Sequence, residues 1–348
     1  MASNDKLLII GSAVADVIIT LDHLPAKSED VHVITQEMRM GGCAYNTYDM
    51  VHHFGVDAIP FFPIGTGAYG DFVRSCFAKR GIETPVPTPC WDNGCCYCFI
   101  EADGERTFIS YHGAEYRFEK EWFSLIDPDT VDSVYICGLE IEEPTGVHIV
   151  SFLESLSAYR QKNDLPFRLF FAPGPRLTRI DPSLIGRIFS LHPVLHLNDE
   201  EACAFAGLNE AGGPDAGRSE TRGSETGEVK ETASTDEEET DGEPAEHAAR
   251  ILYEKTLAPV LVTLGSRGCL VFDGKDLTRV DPVPTKQIDT IGAGDAHIGA
   301  VMACLKKGKS LLTSVETANL ISSKVVNVHG ALLSDDEFNN IITKETPL

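Results

Sequence analysis

The spacing of apolar and polar residues along the chain predicts strands that alternate with helices. Short apolar runs of the kind that form buried strands occur at Lys6–Ile10, Val131–Cys137, Phe167–Ala172 and Val260–Leu264. Between two of these runs, Pro144–Asn163 is predicted to be a helix. Alternating strands and helices build a mainly parallel sheet with helices on both faces, so the chain is assigned to the α/β class.

A pair of strictly alternating segments predicts a second, smaller sheet. Cys95–Ile100 and Arg106–Tyr111 flank Ala102-Asp103-Gly104-Glu105, and an Asp-Gly pair is a strong β-hairpin signal. We expect residues of about 92–113 to join residues of about 12–35 in a small sheet. Such a sheet would cover one face of the main domain, as a lid or as a dimer surface.

One internal segment breaks the pattern and is expected to be disordered. Asn209–His247 is rich in Gly, Ser, Thr and Glu and carries 13 acidic and 3 basic side chains. It has almost no large apolar residue, so it cannot bury enough surface to fold. We expect residues 1–348 to form one domain that contains this segment as a surface insertion.

The charge and hydropathy of the chain argue against two classes of partner. The formal net charge is −24, with 29 Lys and Arg against 53 Asp and Glu, and an acidic surface repels nucleic acid and anionic membranes. No stretch has the apolar length of a membrane span, and the N-terminus lacks the basic start and long apolar run of a signal peptide. A cytoplasmic protein with no nucleic-acid or membrane partner is therefore expected.

The 10 cysteines do not form a recognisable metal or redox pattern. Six are scattered through predicted core elements, as reduced thiols are. The other four cluster at Cys90, Cys95, Cys96 and Cys98, but no second ligand pair or His pair matches the spacing of a metal site. Structural thiols are the favoured interpretation.

The stretch Asp289–Asp295 has the pattern of an anion site at the start of a helix. It follows a β-like segment, Leu277–Ile288, and precedes a helical run of small residues, Ala296–Leu305. Gly292-Ala293-Gly294 lets backbone N–H groups approach a ligand closely, and a helix N-terminus attracts negative charge. A carboxylate there, Asp295, suits a base that takes a proton from an attacking hydroxyl group. The structural alternative is a glycine-rich turn with Asp295 as the helix N-cap.

Further candidate residues lie in apolar segments or at the ends of predicted strands. Asp16 stands inside an apolar stretch, where a carboxylate needs a partner. Gly41-Gly42 opens a helix whose first turns carry Asn46. Three more residues follow predicted strands, at the edge of a parallel sheet where ligands bind: Glu140, Asn198 and Gly265.

Two nucleotide-binding motifs are present only by letter. Gly65–Gly70 matches G-x-G-x-x-G, but its acidic candidate, Glu83, comes directly after the helix with no second strand to carry it. Gly308-Lys309-Ser310 matches the end of a P-loop, but Ala303 replaces the earlier glycine. Neither motif is expected to bind a nucleotide.

Four motifs, in this order, resemble those of the ribokinase (PfkB) carbohydrate kinases. They are Gly41-Gly42 with Asn46, Asn198-x-x-Glu201, Thr263-Leu264-Gly265-x-x-Gly268 and Asp289–Asp295. The resemblance covers essentially the whole chain outside the acidic insertion. It implies a ribokinase-like three-layer α/β/α sandwich with a small β lid, and a homodimer formed through that lid.

The resemblance also implies a role for each candidate residue in the phosphorylation of a small sugar by ATP with Mg²⁺. Asp295 would be the base, and Gly292, Ala293 and Gly294 would form the anion hole for the γ-phosphoryl group. The residues implied to hold the sugar are Asp16, Gly41, Gly42, Asn46 and Glu140. Those implied at the nucleotide are Asn198, Thr263, Gly265, Gly268 and Asn319, with Glu201 organising Mg²⁺ through water. Those implied at a monovalent-cation site, with K⁺ as the candidate ion, are Asp289, Ile291, Val325, Val328, Gly330 and Ser334.

Three departures from the family pattern leave the identity of the substrate open. Cys43-Ala44-Tyr45 stands where a Lys-Gly-Ala-like run is usual, Gly67 replaces an Asp, and His297 stands where many relatives have Phe. His297 either tunes the base or contacts substrate, or it is satisfied by local hydrogen bonds, which is the favoured interpretation. The hairpin sequence favours a sugar over a nucleoside of the adenosine or pseudouridine type. A catalytically silent sugar sensor is the remaining alternative.

Overall fold

The computed structural model describes residues 5–208 and 243–345. Within these ranges the strands are β1 (Lys6–Ile10), β2 (Val14–Leu21), β3 (Val33–Gly41), β4 (Ala58–Phe61), β5 (Cys95–Ile100), β6 (Arg106–Tyr111), β7 (Val131–Cys137), β8 (Arg168–Ala172), β9 (Val194–Asn198), β10 (Val260–Thr263), β11 (Cys269–Phe272) and β12 (Leu277–Val280). The α-helices are α1 (Cys43–His53), α2 (Ala68–Arg80), α3 (Gly138–Glu142), α4 (Gly146–Lys162), α5 (Pro182–Phe189), α6 (Asp199–Ala206), α7 (Pro244–Thr256), α8 (Ala293–Lys306), α9 (Leu311–Val325) and α10 (Asp335–Glu345). None of the helices in the described ranges is both long and apolar enough to cross a membrane.

The main sheet has the strand order β12-β11-β10-β9-β8-β7-β1-β4. Six neighbouring strands of this sheet are parallel to one another: β4, β1, β7, β8, β9 and β10. They are parallel because a helix returns the chain across a face of the sheet between one of these strands and the next along the chain. Only short turns join β10 to β11 and β11 to β12, so these two pairs are antiparallel.

Side chains of β1 alternate between two layers of the core. Leu7 and Ile9 belong to a cluster that includes residues of α1, α8 and α9. Leu8 and Ile10 belong to a second cluster, with residues of α4 and α7. All four side chains are fully buried, and burial of each stabilises the fold by roughly 1.5–3 kcal/mol relative to exposure. Helices cover both faces of the sheet, so the predicted three-layer α/β/α sandwich is confirmed.

A second sheet, here called the lid, has the strand order β3-β2-β5-β6. Its hairpin pairs Ile100 with Arg106 across the predicted Asp-Gly turn. Val17, Ile19 and Leu21 form a small apolar cluster with Tyr69 of α2, which attaches the lid to the body. The edge strand β3 continues to Gly41, beyond the predicted limit near residue 35. Its length was not predicted, because its first seven residues are exposed and show no alternation of burial.

The end of the acidic insertion needs a correction. Residues 209–242 lie outside the described residues, but α7 begins at Pro244, so the last residues of the predicted disordered segment, 244–247, are helical. Proline is well suited to the first position of a helix, and Ala245 and Ala248 of this helix are buried against the sheet. The insertion predicted from composition therefore ends before Pro244.

Candidate active site

Several polar residues predicted from the sequence meet at the carboxyl ends of β9 and β10. There a cavity of about 690 Å³, here called the larger cavity, is bounded on its other side by α8 and α9. Its volume falls in the range of sites for small molecules and cofactors. The predicted residues that line it are Asn198, Thr263, Gly265, Gly268, Ala293, Gly294 and Asn319.

The start of α8 has the geometry of an anion site. The helix begins at Ala293, and its N-cap is Gly292, whose φ of 73° lies in the left-handed region that favours glycine. A side chain at Gly292 would overlap Ala331, whereas a Cβ at Gly294 would meet no atom within 4 Å. Gly294 therefore borders open space at a helix N-terminus, where the helix favours negative charge.

Asp295 is the third residue of α8 and is not its N-cap, which argues against the structural alternative for this carboxylate. The Asn46 Nδ2 group donates a hydrogen bond of 2.9 Å to Asp295 Oδ2, and the Thr47 hydroxyl donates one of 3.4 Å to the Asp295 backbone carbonyl. Burial raises the pKa of Asp295 to about 6, against the opposing effect of the bond from Asn46. A carboxylate with this pKa is ionised at neutral pH and remains basic enough to accept a proton.

A second cavity, of about 260 Å³, lies between the lid and the body and is here called the lid cavity. Asp16 of β2 lines it, and burial raises the pKa of this carboxyl group to about 7. A side chain at Gly41 would overlap the Asp16 carboxylate, so glycine at this position lets the carboxylate keep its place. Gly42 has a φ of 97° and forms the N-cap of α1, which places Asn46 one turn into that helix.

Glu140 lies in α3 and is fully buried, and neither cavity is lined by it. Its Oε2 atom accepts a hydrogen bond of 2.7 Å from the Cys137 thiol, and burial raises its pKa. A Cβ at Gly11 would lie 3.0 Å from Glu140 Oε1. The predicted contact of Glu140 with substrate is therefore not direct in this arrangement.

Asn198 and Glu201 form a capping box at the start of α6. The Glu201 backbone N–H donates to Asn198 Oδ1 at 2.7 Å, and the Asn198 N–H donates to Glu201 Oε2 at 3.1 Å. The sequence Asn-x-x-Glu already carried this signal of a helix start. A single carboxylate of this kind fits Mg²⁺, which usually keeps several waters and is held by one or two carboxylates together with phosphates. No group of three or more His, Cys, Asp or Glu in the described ranges forms an all-protein metal site.

His297 is satisfied by its neighbours, in agreement with the favoured interpretation. It is bonded to His196 Nε2 at 3.0 Å through Nδ1, and to Asn319 Oδ1 at 3.1 Å through Nε2. Asn319 Nδ2 in turn donates to the backbone carbonyls of Val280 and Asp281. Burial lowers the pKa of His297 to about 4, so the ring is neutral. No local pattern indicates the contribution of His196, because 101 residues separate the two histidines.

Asp289 lies in the loop before α8, and its carboxylate accepts three hydrogen bonds. Its Oδ1 atom accepts from Arg106 Nη1 at 2.6 Å and from the Ile291 N–H at 3.0 Å, and its Oδ2 atom accepts from the Gly330 N–H at 2.9 Å. Burial acts to raise the pKa of Asp289, but the bonds from Arg106, Gly330 and Ile291 outweigh it and lower this pKa.

The remaining residues predicted for a cation site lie on the chain that follows α9. Val325 ends that helix, and its carbonyl accepts from the Val328 N–H at 3.2 Å. Ser334 precedes α10, and its hydroxyl donates to Glu337 Oε2 at 2.6 Å. The structure therefore joins Asp289, Ile291 and Gly330 directly, while the Ser334 hydroxyl serves the start of a helix.

Comparison with known proteins identifies the family. The description "pfkB family carbohydrate kinase" matches residues 4–337. The chain belongs to the pfkB carbohydrate kinases. This membership confirms the predicted resemblance and the predicted enzyme class, a sugar kinase that transfers phosphate.

Relatives of this pfkB carbohydrate kinase match along nearly the whole chain. An uncharacterized sugar kinase of Escherichia coli, YegV, is 29% identical over 330 residues, which are 95% of this chain and 91% of YegV. A ribokinase structure from Cryptococcus neoformans in complex with ADP matches with a TM-score of 0.72 and 20% identity, over 97% of this chain and 99% of that one. The Escherichia coli phosphofructokinase-2 structure in complex with potassium matches with a TM-score of 0.69 and 20% identity, over 97% and 98% of the two chains. At such identities the two structures show a shared fold.

Proposed function

We propose that this protein phosphorylates a hydroxymethyl group of a small sugar with ATP, and that Asp295 is the base. The observation that carries the proposal is the position of the start of α8 between the two cavities. Ile291 lines the lid cavity, whereas Ala293 and Gly294 line the larger cavity. Asp295 is the next residue and lines neither cavity itself, and we infer from its place beside both that it reaches a hydroxyl group on one side and a phosphoryl group on the other.

The larger cavity is proposed to hold ATP. The ADP complex of the ribokinase neighbour supports a nucleotide in this fold. Thr263, Gly265, Gly268 and Asn319 would line the nucleotide, and Asn198 would lie beside its phosphates. Mg²⁺, when bound to those phosphates, neutralises charge that develops during transfer, and Glu201 would hold it through water.

The lid cavity is proposed to hold the sugar. The Asp16 carboxylate can accept hydrogen bonds from sugar hydroxyl groups, and the close packing of Gly41 fixes its position. Asn46 already bonds Asp295, and its Oδ1 atom is buried without a partner in the described part of the molecule. A sugar hydroxyl group is a donor that could satisfy this oxygen.

The chain's own groups would carry out the reaction in a simple order. Asp16, Gly41, Gly42 and Asn46 orient the sugar so that one hydroxyl group lies against Asp295. Asp295 accepts the proton of that hydroxyl as its oxygen attacks the γ-phosphoryl group. The backbone N–H groups of Gly292 and Gly294, at the positive end of α8, stabilise the charge on the moving group, whereas the Ala293 N–H already donates to the Thr290 carbonyl at 3.2 Å.

A nucleoside kinase is the second candidate, and the lining of the lid cavity supplies an observation in its favour. Apolar side chains of Ile18, Ile100 and Phe108 line part of this cavity, and charged side chains that include Arg39 and Arg106 line another part. The apolar side chains could contact a base or another apolar substituent attached to the sugar. A sensor without catalysis is disfavoured, because the chain keeps Asp295 and Gly292–Gly294, the residues that the proposed transfer needs.

A homodimer through the lid is also proposed. Both edge strands of the lid expose large apolar side chains, including Ile34 at 64% and Tyr111 at 63% exposure. Exposed strand edges with apolar side chains favour pairing with another chain. Sedimentation equilibrium of the wild type and of Ile34→Lys tests this, since a monomeric wild type would remove the proposal.

The decisive assay for the function is ADP release from Mg-ATP with a panel of pentoses, hexoses and nucleosides. Saturable turnover with sugars, and no more than weak turnover with nucleosides, is expected. Turnover restricted to nucleosides would select the second candidate. Saturable sugar binding without turnover by any compound would select the sensor.

A further inference from the structure

Arg106 of the lid strand β6 reaches Asp289 in the loop before α8. Among the contacts of Asp289 with the described residues, this is the one that brings a full positive charge. The guanidinium donates to Asp289 Oδ1 at 2.6 Å, and the Asp289 side chain is only 4% exposed. The same carboxylate accepts the backbone N–H groups of Ile291 and Gly330. Asp289 is therefore neutralised and hydrogen-bonded by groups of the protein itself.

A second guanidinium from the opposite edge of the lid approaches the same region. Arg39 of β3 donates to the His329 carbonyl at 3.2 Å. Its Nη1 atom lies 3.2 Å from the place where a Cβ at Gly330 would stand. Glu37 pairs with Arg39 at 2.7 Å and balances part of its charge. Both edges of the lid thus place a guanidinium against residues 289 and 329–330.

This arrangement does not fit a monovalent cation at the Asp289 carboxylate, which the family resemblance assigns to it. Such an ion needs a carboxylate that is free to coordinate it, but Asp289 already accepts three hydrogen bonds, one of them from the charged Arg106 guanidinium. A cation beside Arg106 would also be repelled, because like charges at contact distance in a part-buried site interact strongly.

We propose that the Arg106 guanidinium takes the place of a monovalent cation at Asp289 and makes the enzyme independent of K⁺. Arg106 acts as a positioning residue. It holds the Asp289 carboxylate, which through the Ile291 and Gly330 N–H groups orders the loop that leads into Gly292–Gly294. Because Arg106 belongs to the lid, the order of this loop depends on the lid being in place. The inference rests on the proposed kinase function and departs from what the resemblance implies about K⁺.

The test compares cation dependence in three proteins: the wild type, Arg106→Ala and the matched control Arg39→Ala. Wild-type turnover is expected to change by less than about twofold when choline chloride is replaced by KCl at equal ionic strength. Arg106→Ala is expected to lose about tenfold or more in kcat with choline and to regain most of it with KCl. Arg39→Ala is expected to show no cation dependence whatever its level of turnover, because Arg39 lines the proposed sugar cavity but bonds a neutral carbonyl and not Asp289. Arg106→Lys should keep part of the cation independence, since it retains a charge.

A binding measurement reports on the same proposal without catalysis. Thallium-205 NMR with Tl⁺, which substitutes for K⁺, should detect no bound ion in the wild type and a bound ion in Arg106→Ala that KCl displaces. Wild-type activation of about tenfold or more by K⁺, or Tl⁺ binding by the wild type that Asp289→Asn removes, would overturn the inference. Absence of turnover with every substrate would instead count against the proposed function, while the Tl⁺ measurement on the wild type would still decide the inference.

Discussion

The hydrogen bond from Asn46 to Asp295 should set the acid limb of the pH profile. With a pKa of about 6 for Asp295, kcat/KM should fall about tenfold per pH unit below that value, because only the ionised carboxylate can accept the proton. Asn46→Leu has a similar size and no donor. Since the lost bond stabilised the ionised form, the pKa of Asp295 rises and the acid limb moves to higher pH.

The size of this movement follows from the energy of the lost bond. A hydrogen bond to a charged group contributes about 1.5–3 kcal/mol, and 1.36 kcal/mol corresponds to one pH unit. Asp295 is not fully enclosed, so the lower end applies, and the limb should move by about one pH unit. At pH 7 the ionised fraction would then fall from about nine tenths to about one half.

The assay is kcat/KM for Mg-ATP at saturating sugar between pH 5 and pH 9, which reports ionisations of the enzyme–sugar complex. Titration of Asp16, whose pKa is about 7, would otherwise enter the acid limb through sugar binding. Asn46→Leu also removes a proposed sugar contact, so the height of the profile will fall, but the position of the limb is independent of height. Thr47→Val is the matched control, because Thr47 bonds only the Asp295 backbone carbonyl. A limb that stays in place in Asn46→Leu, or moves equally in Thr47→Val, would refute the reasoning.

Three further predictions follow from groups beside the site. Burial raises the pKa of Asp16 to about 7, so ionisation of this carboxyl group opposes folding as the pH rises from about 4 to 7. In urea unfolding, Asp16→Asn should therefore stabilise the protein by about 1–2 kcal/mol at pH 8 and by nothing below pH 4. His297→Phe leaves Asn319 Oδ1 without its donor, so thermal unfolding should show a loss of about 1–3 kcal/mol with an unchanged acid limb, whereas a shifted limb would mean that His297 tunes the base. Gly294→Ala should fold normally and lose about tenfold or more in kcat. Gly268→Ala should instead lose about 2–4 kcal/mol of stability, because Gly268 has a φ of 90° and a Cβ there would overlap the Val280 carbonyl.

Much of the fold could be predicted, because buried strands have strong local patterns. The strands at Cys95–Ile100, Arg106–Tyr111 and Val131–Cys137 coincide with their predicted bounds. The β-like segment Leu277–Ile288 is a strand only to Val280. Pro282 and Pro284 follow, and each lacks the backbone N–H that a sheet requires, so the chain leaves the sheet there.

The candidate site was predictable to the extent that its residues lie in short contiguous motifs. Glycines at a helix start and an Asn-x-x-Glu cap have local signatures, so Gly292–Gly294 and Asn198–Glu201 were found. The pair Arg106–Asp289 has none, since 183 residues separate its members and only the docking of the lid brings them together. An arginine in an alternating hairpin looks like an ordinary exposed residue until the partner is known.

The central claim is that Asp295 accepts the proton during phosphoryl transfer, and Asp295→Asn tests it most directly. The substitution keeps the size and one hydrogen-bonding oxygen but removes the base. Single-turnover ADP formation at saturating Mg-ATP and sugar should fall by about 10²–10⁴-fold, while the dissociation constant of ATP, measured by calorimetry, stays within about threefold. A variant that binds ATP normally and turns over within about tenfold of the wild type would contradict the account.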